Sequence, residues 1–251
     1  MNVSAGEVYT VYNKYLERYT ACQVAYIAPP DNVSSQSWAV ILSLDWVGDA
    51  PLTAEELLHL RPLYKDFMYW PRELHLLRVP VEIPPQYTLV GILPSFADEP
   101  CRSYGGWNDG YEVYRQIKWQ EIPEERRRAF KEAMESDGEP EIGGIPVKVS
   151  SHRLMDKYLP FGSARELEAL PCLSDLICER WHPDLLEFLR ENPFLDELTL
   201  LSHGQRALDL RRTSVRKLML DMTGLEELWL GEETEQLLFQ NKGPDACTIP
   251  V

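Results

Sequence analysis

The sequence predicts an α+β protein, in which a mixed α/β domain with an antiparallel sheet is followed by a short solenoid of repeated strands. In the first half, helical and strand-like patterns alternate in mixed order with mostly short connections, which favours an antiparallel sheet. In the last third, leucines recur in one frame at a period of about 20 residues. We therefore expect a domain over residues 1–150 and a repeat region over residues 151–251, with residues 152–170 as an N-terminal cap.

The elements of the first domain are predicted from apolar spacing and turn residues. Steps of three and four indicate helices, alternation indicates strands, and capping boxes at Ser4 and Thr53 mark two helix starts. Prolines around residues 79–94 place the strand they enclose at a sheet edge. In chain order we predict a helix over 4–19, paired strands at 24–26 and 38–46, a helix from 53 interrupted at Pro62, strands at 87–93 and 113–119, a helix over 121–135 and a strand over 145–149.

Four stretches of the last third share one leucine frame. In an L-x-L pattern the two leucines point into the core and the residue between them points out. The stretches are Leu173-x-x-Leu176-x-Cys178, Leu195-x-x-Leu198-x-Leu200, Val215-x-x-Leu218-x-Leu220 and Glu235-x-x-Leu238-x-Gln240. Their central leucines, at 176, 198, 218 and 238, are 22, 20 and 20 residues apart, and we expect them to stack in register.

The segments between these strands differ from one another. Residues 182–192 carry leucines at helical spacing and are followed by Pro193, which predicts a helix. Residues 202–214 have no such spacing, which predicts a loop, a turn or a short strand. An alternative stays open, in which the L-x-L pairs that begin at 198, 208, 218 and 228 are strands of an ordinary sheet with a period of ten. Both interpretations bury the same leucines.

This part of the chain resembles a leucine-rich-repeat protein, and the resemblance covers about a third of the sequence. Leu225 and Leu228 fall where that family has further core leucines. The resemblance implies a scaffold that holds partners. It also implies a concave surface formed by outward residues, with Trp229 on the return side. The concave surface would present Glu197, Thr199, Lys217, Met219 and Asp221.

Composition restricts the partner and the compartment. The chain has 40 acidic and 25 basic residues, a net charge of −15. This charge argues against nucleic acid or an anionic membrane and favours a basic partner, although solubility alone also explains it. Five cysteines without a C-x-x-C pair indicate reduced thiols in a cytoplasmic protein. We expect no signal peptide and no membrane span.

The search for catalytic motifs predicts a protein that is not an enzyme and needs no cofactor or metal. There is no phosphate-binding loop, G-x-G-x-x-G, H-E-x-x-H, G-x-S-x-G or EF-hand pattern. Two weaker alternatives remain. Cys101 is a candidate nucleophile if Arg102 lowers its pKa. His152 and Asp156 stand four residues apart, which would place two metal ligands on one face of a helix.

Two groups of residues are candidate contact surfaces. The stretch from Leu218 to Asn241 contains six acids and no base, and it surrounds Trp229, which suits a basic partner. A glycine-rich loop provides a possible second surface. The predicted partner-binding residues are Glu197, Thr199, Met219, Asp221, Glu227, Trp229, Glu232 and Glu233, and those of the second surface are Tyr104, Trp107, Asn108 and Asp109.

In overall character, a small acidic protein with repeats and no catalytic motif resembles the immunity proteins that bacteria keep against polymorphic toxins. This resemblance implies a monomer that binds a cognate, basic toxin domain one to one and covers its active site. The alternatives are a regulatory or adaptor module of a larger assembly, and an enzyme that uses Cys101 or His152. The strand-like end, Cys247 to Val251, either folds back over the last repeat or continues into a longer natural chain.

Overall fold

The computed structural model describes residues 2–30, 37–107, 110–159 and 161–240. The chain forms two compact units, Met1–Glu121 and Ile122–Val251. The boundary predicted from the sequence lies near residue 150. In the structure, residues 122–150 belong to the second unit instead of the first.

The first unit contains an antiparallel sheet of five strands. In spatial order they are β6 (Leu76–Pro80), β3 (Trp38–Gly48), β2 (Arg18–Ala28), β1 (Glu7–Asn13) and β7 (Thr88–Ile92). The predicted pairing of residues 24–26 with residues 38–46 and the edge position of the strand near 87–93 are confirmed. Its elements are β1 Glu7–Asn13, β2 Arg18–Ala28, β3 Trp38–Gly48, a 3-10 helix Glu56–His59, β4 Tyr64–Lys65, β5 Glu73–Leu74, β6 Leu76–Pro80, β7 Thr88–Ile92 and α1 Gly110–Glu121.

The helix predicted over residues 4–19 is wrong, because this segment forms β1 and the start of β2. β1 pairs with β2 on one side and with β7 on the other, so its backbone groups are bonded between strands. Val8 and Tyr9 are buried on opposite faces of the sheet. Glu17, with φ of 54°, lies in the hairpin turn. The Ser4 N–H still donates to the Glu7 carboxylate over 2.8 Å, as in a capping box.

Three other elements differ from the prediction. Residues 113–119 lie in α1, where buried Gln116 accepts hydrogen bonds from the N–H groups of Asp66 and Phe67. The helix expected from Thr53 is only the one-turn 3-10 helix, although the Thr53 N–H donates to the Glu56 carboxylate over 2.9 Å, which is one of the two bonds of a capping box. The strand expected over 145–149 is confined to Ile145–Pro146.

The second unit contains a parallel sheet of five strands in the order β10-β11-β12-β14-β16 and a separate parallel pair, β13 with β15. The helix predicted over 121–135 is present from Glu124, directly after Pro123. Its elements are α2 Glu124–Glu135, β8 Glu141–Ile142, β9 Ile145–Pro146, β10 Arg153–Met155, a 3-10 helix Ala164–Ala169, β11 Asp175–Cys178, α3 Leu185–Glu191, β12 Glu197–Leu200, β13 Ala207–Asp209, β14 Lys217–Asp221, β15 Glu227–Trp229 and β16 Gln236–Gln240.

The register of the parallel sheet aligns three of the four predicted leucines. Leu176 pairs with Leu198, and Leu198 pairs with Leu218. The fourth position is wrong by one residue, because Leu218 pairs with Leu237 while Leu238 lies beside Met219 and is 55% exposed. The step from 218 to 237 is one residue shorter than the step before it. A slip of one residue moves a side chain to the other face of a strand.

The strand order contradicts the alternative of one ordinary sheet with a period of ten. β12 pairs directly with β14, whereas β13 pairs with β15 in a different sheet. Leu198 and Leu218 nevertheless share one core with Leu208 and Leu228, so the two sheets cover this core from two sides. The outward faces of the two sheets therefore point away from each other.

The connections of the second unit agree with the prediction for the returns. α3 lies between β11 and β12, and the segment 202–214 contains only the short strand β13. Within the described ranges, no helix has the length and apolar character needed to cross a membrane.

Candidate functional site

The outward face of the five-stranded parallel sheet presents its side chains in two columns. Residues at the same position of neighbouring strands stand side by side, because adjacent strands are about 4.8 Å apart and in register. We call these two columns the charged column and the central column. The charged column is Arg153, Asp175, Glu197, Lys217 and Gln236, and the central column is Met155, Ile177, Thr199, Met219 and Leu238.

The charged column is largely neutralised by pairs between neighbouring strands. Arg153 Nε lies 3.0 Å from the Asp175 carboxylate, and the Lys217 ammonium donates to the Glu197 carboxylate. Burial nevertheless raises the pKa of Asp175 from its usual 3.8, and this outweighs the opposing effect of Arg153. The nearby Glu197 carboxylate raises it further. Ionisation of Asp175 in the folded protein therefore costs free energy.

The central column is apolar at four of its five positions. Ile177 is almost covered, Met155, Thr199 and Met219 are half-buried, and Leu238 is exposed. A row of this kind can supply buried anchors to a partner surface. The two methionines add adaptability, because their unbranched side chains fit irregular surfaces.

The structure brings together in these columns four of the residues that the sequence assigned to the concave surface. Glu197 and Lys217 lie in the charged column, and Thr199 and Met219 lie in the central column. Asp221 is the next outward residue of β14, but its carboxylate accepts hydrogen bonds from the N–H and hydroxyl of Thr223 and so stabilises a turn. Its backbone carbonyl lies 2.6 Å from His203 Nε2.

Trp229 and Glu227 lie on the other surface, on β15. Trp229 pairs with Asp209 of β13, and the Arg211 guanidinium lies 5.6 Å from the centre of its ring. Trp229 therefore lies in the two-stranded sheet. The structure does not bring it together with Glu197, Thr199 and Met219, because a leucine core lies between the two sheets.

The acidic run after Leu218 is less negative than its sequence indicates, because bases of the preceding segment neutralise part of it. Arg206 Nε donates to the Glu226 carboxylate over 2.9 Å. Arg216 lies 2.9 Å from the Glu235 carboxylate and also contacts Asp196. Among the described residues, the exposed Glu227 and Glu232 have no such ion pair. Glu233, which follows in the same turn, is half-buried.

The loop predicted as a second surface contains one exposed aromatic residue that is described. Tyr104 is 49% exposed and lies against Trp38. Trp107 is buried and is not an available contact residue, since its Nε1 donates to the carbonyl of Pro80 over 2.8 Å. Asn108 and Asp109 lie outside the described residues, as does the strand-like end at 247–251.

The two candidate reactive groups are not arranged for the chemistry considered from the sequence. Cys101 is buried, and burial raises the pKa of its thiol. The neighbouring guanidinium is that of Arg78, which donates to the Cys101 carbonyl, instead of that of Arg102. His152 is exposed and precedes a strand, whereas Asp156 is completely buried. Over the described part of the chain, no three His, Cys, Asp or Glu side chains are grouped to hold a metal.

A buried polar network in the first unit was missed from the sequence. Ser43 Oγ lies 2.8 Å from His75 Nδ1, and His75 Nε2 lies 2.9 Å from the Glu112 carboxylate. The hydrogen bond from His75 lowers the pKa of Glu112 and so favours its ionised form. These residue types are those of a hydrolase triad. No local motif signals the network, because its members are 32 and 37 residues apart.

This network is closed to substrates. Ser43 is only 6% exposed and lies on the wall of a cavity of about 40 Å³. Such a cavity holds a water molecule, whereas ligand sites usually have several hundred Å³. The network therefore stabilises the packing of β3, α1 and the segment before β6.

No family model, curated protein or solved structure matches this chain. What its surfaces can bind is therefore inferred from their own chemistry.

Proposed function

We propose that the protein is a non-enzymatic binding protein whose C-terminal part is a short leucine-rich-repeat solenoid. The observation that carries this proposal is the in-register array on five parallel strands, where the apolar central column stands beside the charged column. Five strands spaced about 4.8 Å apart present an array about 19 Å wide. An open array of this width suits another protein better than a small molecule, which prefers an enclosed site.

The electrostatics of Asp175 support a binding role for this face. A carboxyl whose pKa is raised by burial lowers the stability of the fold when it is ionised. Groups that cost stability are common at functional sites, because selection keeps them for binding. Asp175 therefore joins Glu197, Thr199 and Met219 in the proposed contact surface.

We further propose that the partner is a basic bacterial toxin domain, so that the protein acts as an immunity protein. The net charge of −15 attracts a basic partner over long range, while the central column provides burial at short range. The partner's active site would be covered in a one-to-one complex. A cytoplasmic location belongs to the same proposal and agrees with the unpaired Cys22, Cys101, Cys172 and Cys178.

A second candidate function is an adaptor that holds two partners. The outward face of β13 and β15 favours it, because Trp229 and Glu227 form a separate surface there. An adaptor would lose only one of two partners when Trp229 is replaced by Ala. An immunity protein of the proposed kind would keep its single partner.

The experiment is capture of the partner from the source cell, followed by measurements with the purified pair. Met219→Lys places a charge in the central column and should abolish binding, whereas Glu227→Gln on the other surface should leave it intact. The association rate should fall about tenfold or more between low and high salt, because screening removes the long-range attraction. Unchanged binding by Met219→Lys would exclude the sheet face, and a salt-independent rate would exclude electrostatic attraction.

Neutralisation is tested separately by co-expression. The captured domain should stop growth when expressed alone, and the wild-type protein should restore growth. Met219→Lys should fail to restore it at equal protein level. A captured domain that has no effect on growth would contradict the immunity role while leaving partner binding itself untouched.

A further inference from the structure

The second unit contains a groove of about 420 Å³ that is distinct from both sheet faces. It lies between α2 and the segments around the 3-10 helix 164–169 and the end of α3. Its apolar lining includes Ala129 and Ala133 of α2, together with Leu170, Phe188 and Phe194. The small alanines leave space beside α2. A volume of this size falls within the usual range for small-molecule sites.

The rim of the groove is mostly acidic. Glu132, Glu168 and Glu191 line it, and among the described lining residues Arg126 is the one base. Glu132 is 3.7 Å from Arg128, whereas Glu168 and Glu191 have no ion pair within the part of the chain that the structure describes. Arg165 is close enough to interact with both, but its ion pair is with Glu187 at 2.9 Å. The potential at the rim therefore favours a positive charge.

We infer that this groove binds a small hydrophobic ammonium compound. The apolar lining covers the hydrocarbon part of the ligand, and Glu168 and Glu191 attract its charge at the rim. Phe188 and Phe194, which are almost fully buried, form part of this apolar lining. A carboxylate ligand of the same shape would meet like charge. This activity is independent of the proposed partner, which binds the sheet.

The test uses 4-phenylbutylamine with the full-length protein, followed by NMR or calorimetric titration. Two compounds of matched shape serve as controls, 4-phenylbutyrate and 4-phenyl-1-butanol. We expect the amine to bind with a roughly submillimolar Kd, as is typical for about a dozen non-hydrogen atoms. The acid should bind about tenfold more weakly or not at all, because it meets the acidic rim. Equal affinity for all three compounds, or no binding of the amine, would overturn the inference.

Variants locate the binding within the groove. Ala129→Trp fills the space beside α2 and should abolish binding of the amine. Met134→Trp is the matched control, because Met134 lies on the same helix, is 41% exposed and does not line the groove. Retained binding by Ala129→Trp would overturn the inference.

The charge of the rim is tested by a second pair of variants, which also serves if Ala129→Trp does not fold. The double variant with Glu168→Gln and Glu191→Gln should bind the amine severalfold more weakly. It should also show a smaller difference in affinity between the amine and the acid. Glu227→Gln with Glu232→Gln changes the net charge equally on another surface and should have no effect. Equal effects of the two double variants would overturn the assignment to the rim.

Discussion

Asp156 is a completely buried residue whose side-chain oxygens are bonded mainly by backbone groups. It accepts hydrogen bonds from the N–H groups of Glu179 and Arg180, at 2.8 Å and 3.1 Å, and His182 Nε2 lies 3.6 Å away. These bonds fix the chain directly after β11. The residue that looked like a metal ligand in the sequence is therefore part of the support of the parallel sheet.

Replacing Asp156 by Ala should destabilise the protein by about 2–4 kcal/mol, because two partly buried N–H groups lose their acceptor. The measurement is urea unfolding followed by circular dichroism. Asp49→Ala is the control, since Asp49 is an exposed partner of Arg18 and its loss should cost less than about 1 kcal/mol. Equal effects of the two substitutions would show that the Asp156 bonds do not support the fold.

Asp175→Asn should change the pH dependence of stability in a defined direction. The folded pKa of Asp175 is raised above the usual 3.8, so the folded state binds this proton more tightly than the unfolded state. The resulting stability is fully present below the unfolded pKa and is lost as pH rises through the folded pKa. The variant cannot ionise there, so its stability relative to the wild type should increase from pH 3 towards pH 7.

Urea unfolding at a series of pH values measures this effect. Asp209→Asn is an informative comparison, because hydrogen bonds from Arg211 lower the pKa of Asp209 to about 2. That variant should lose stability relative to the wild type over the same pH range. If both variants followed the same trend, the assignment of opposite pKa shifts to the two carboxyls would be wrong.

The sequence predicts which residues of the repeats point outward wherever the positions of the strands are predicted correctly. Alternation along β12 and β14 placed Glu197, Thr199 and Met219 on one face, because the period of a strand is two. Asp175 and Ile177 follow from the same frame one repeat earlier, but neither residue type suggested binding. The burial of Trp107 could not be predicted, because it depends on a carbonyl of Pro80, which is distant in sequence.

At the level of elements, long-range pairing decided where local patterns were ambiguous. Residues 8, 11, 12 and 15 have helical spacing, yet they are valines and tyrosines, which also favour strands. The pairing of this segment with β2 and β7 was not visible locally. The reverse error occurred in α1, where Val113, Tyr114, Gln116 and Trp119 form one buried helical face. Helix α3 was predicted correctly because its apolar spacing and Pro193 agree.

The corrected frame of β16 predicts different roles for two adjacent leucines. Leu237 packs partly against the leucine core, whereas Leu238 lies on the central column. Leu237→Ala should destabilise the protein by about 1–2 kcal/mol, less than a fully buried leucine would. Leu238→Ala should change stability by less than about 0.5 kcal/mol and should weaken partner binding.

Unfolding free energies and partner affinity of the two variants distinguish this register from the one predicted by the sequence. The register predicted from the sequence, with Leu238 in the core, requires Leu238→Ala to be the less stable of the two variants. A larger loss of stability for Leu238→Ala than for Leu237→Ala would support the register predicted from the sequence. The neighbouring Phe239 is unsuitable as a probe, since it is 36% exposed and its ring has contacts of its own.

At the level of the whole molecule, the boundary between units follows core contacts and not the change in sequence pattern. The repeats begin after residue 150 in the sequence, but their core includes Ile142, which is completely buried. The ring of Phe130 in α2 packs against that of Phe194, with centres 4.9 Å apart and planes tilted by 56°, and the Phe130 carbonyl lies 3.5 Å from Cys172 Sγ. No periodicity connects α2 to the repeats, so this packing could not be predicted.

A fragment of residues 122–251 should therefore unfold cooperatively, whereas a fragment of residues 151–251 should be much less stable. The shorter fragment lacks Ile142 and Phe130, and burial of each such side chain contributes about 1.5–3 kcal/mol. The loss of about 3–6 kcal/mol is comparable with the whole stability of a small domain. Urea unfolding of both fragments measures it. If the two fragments were equally stable, α2 and the β8–β9 hairpin would be dispensable for the repeats, and the boundary would return to residue 150.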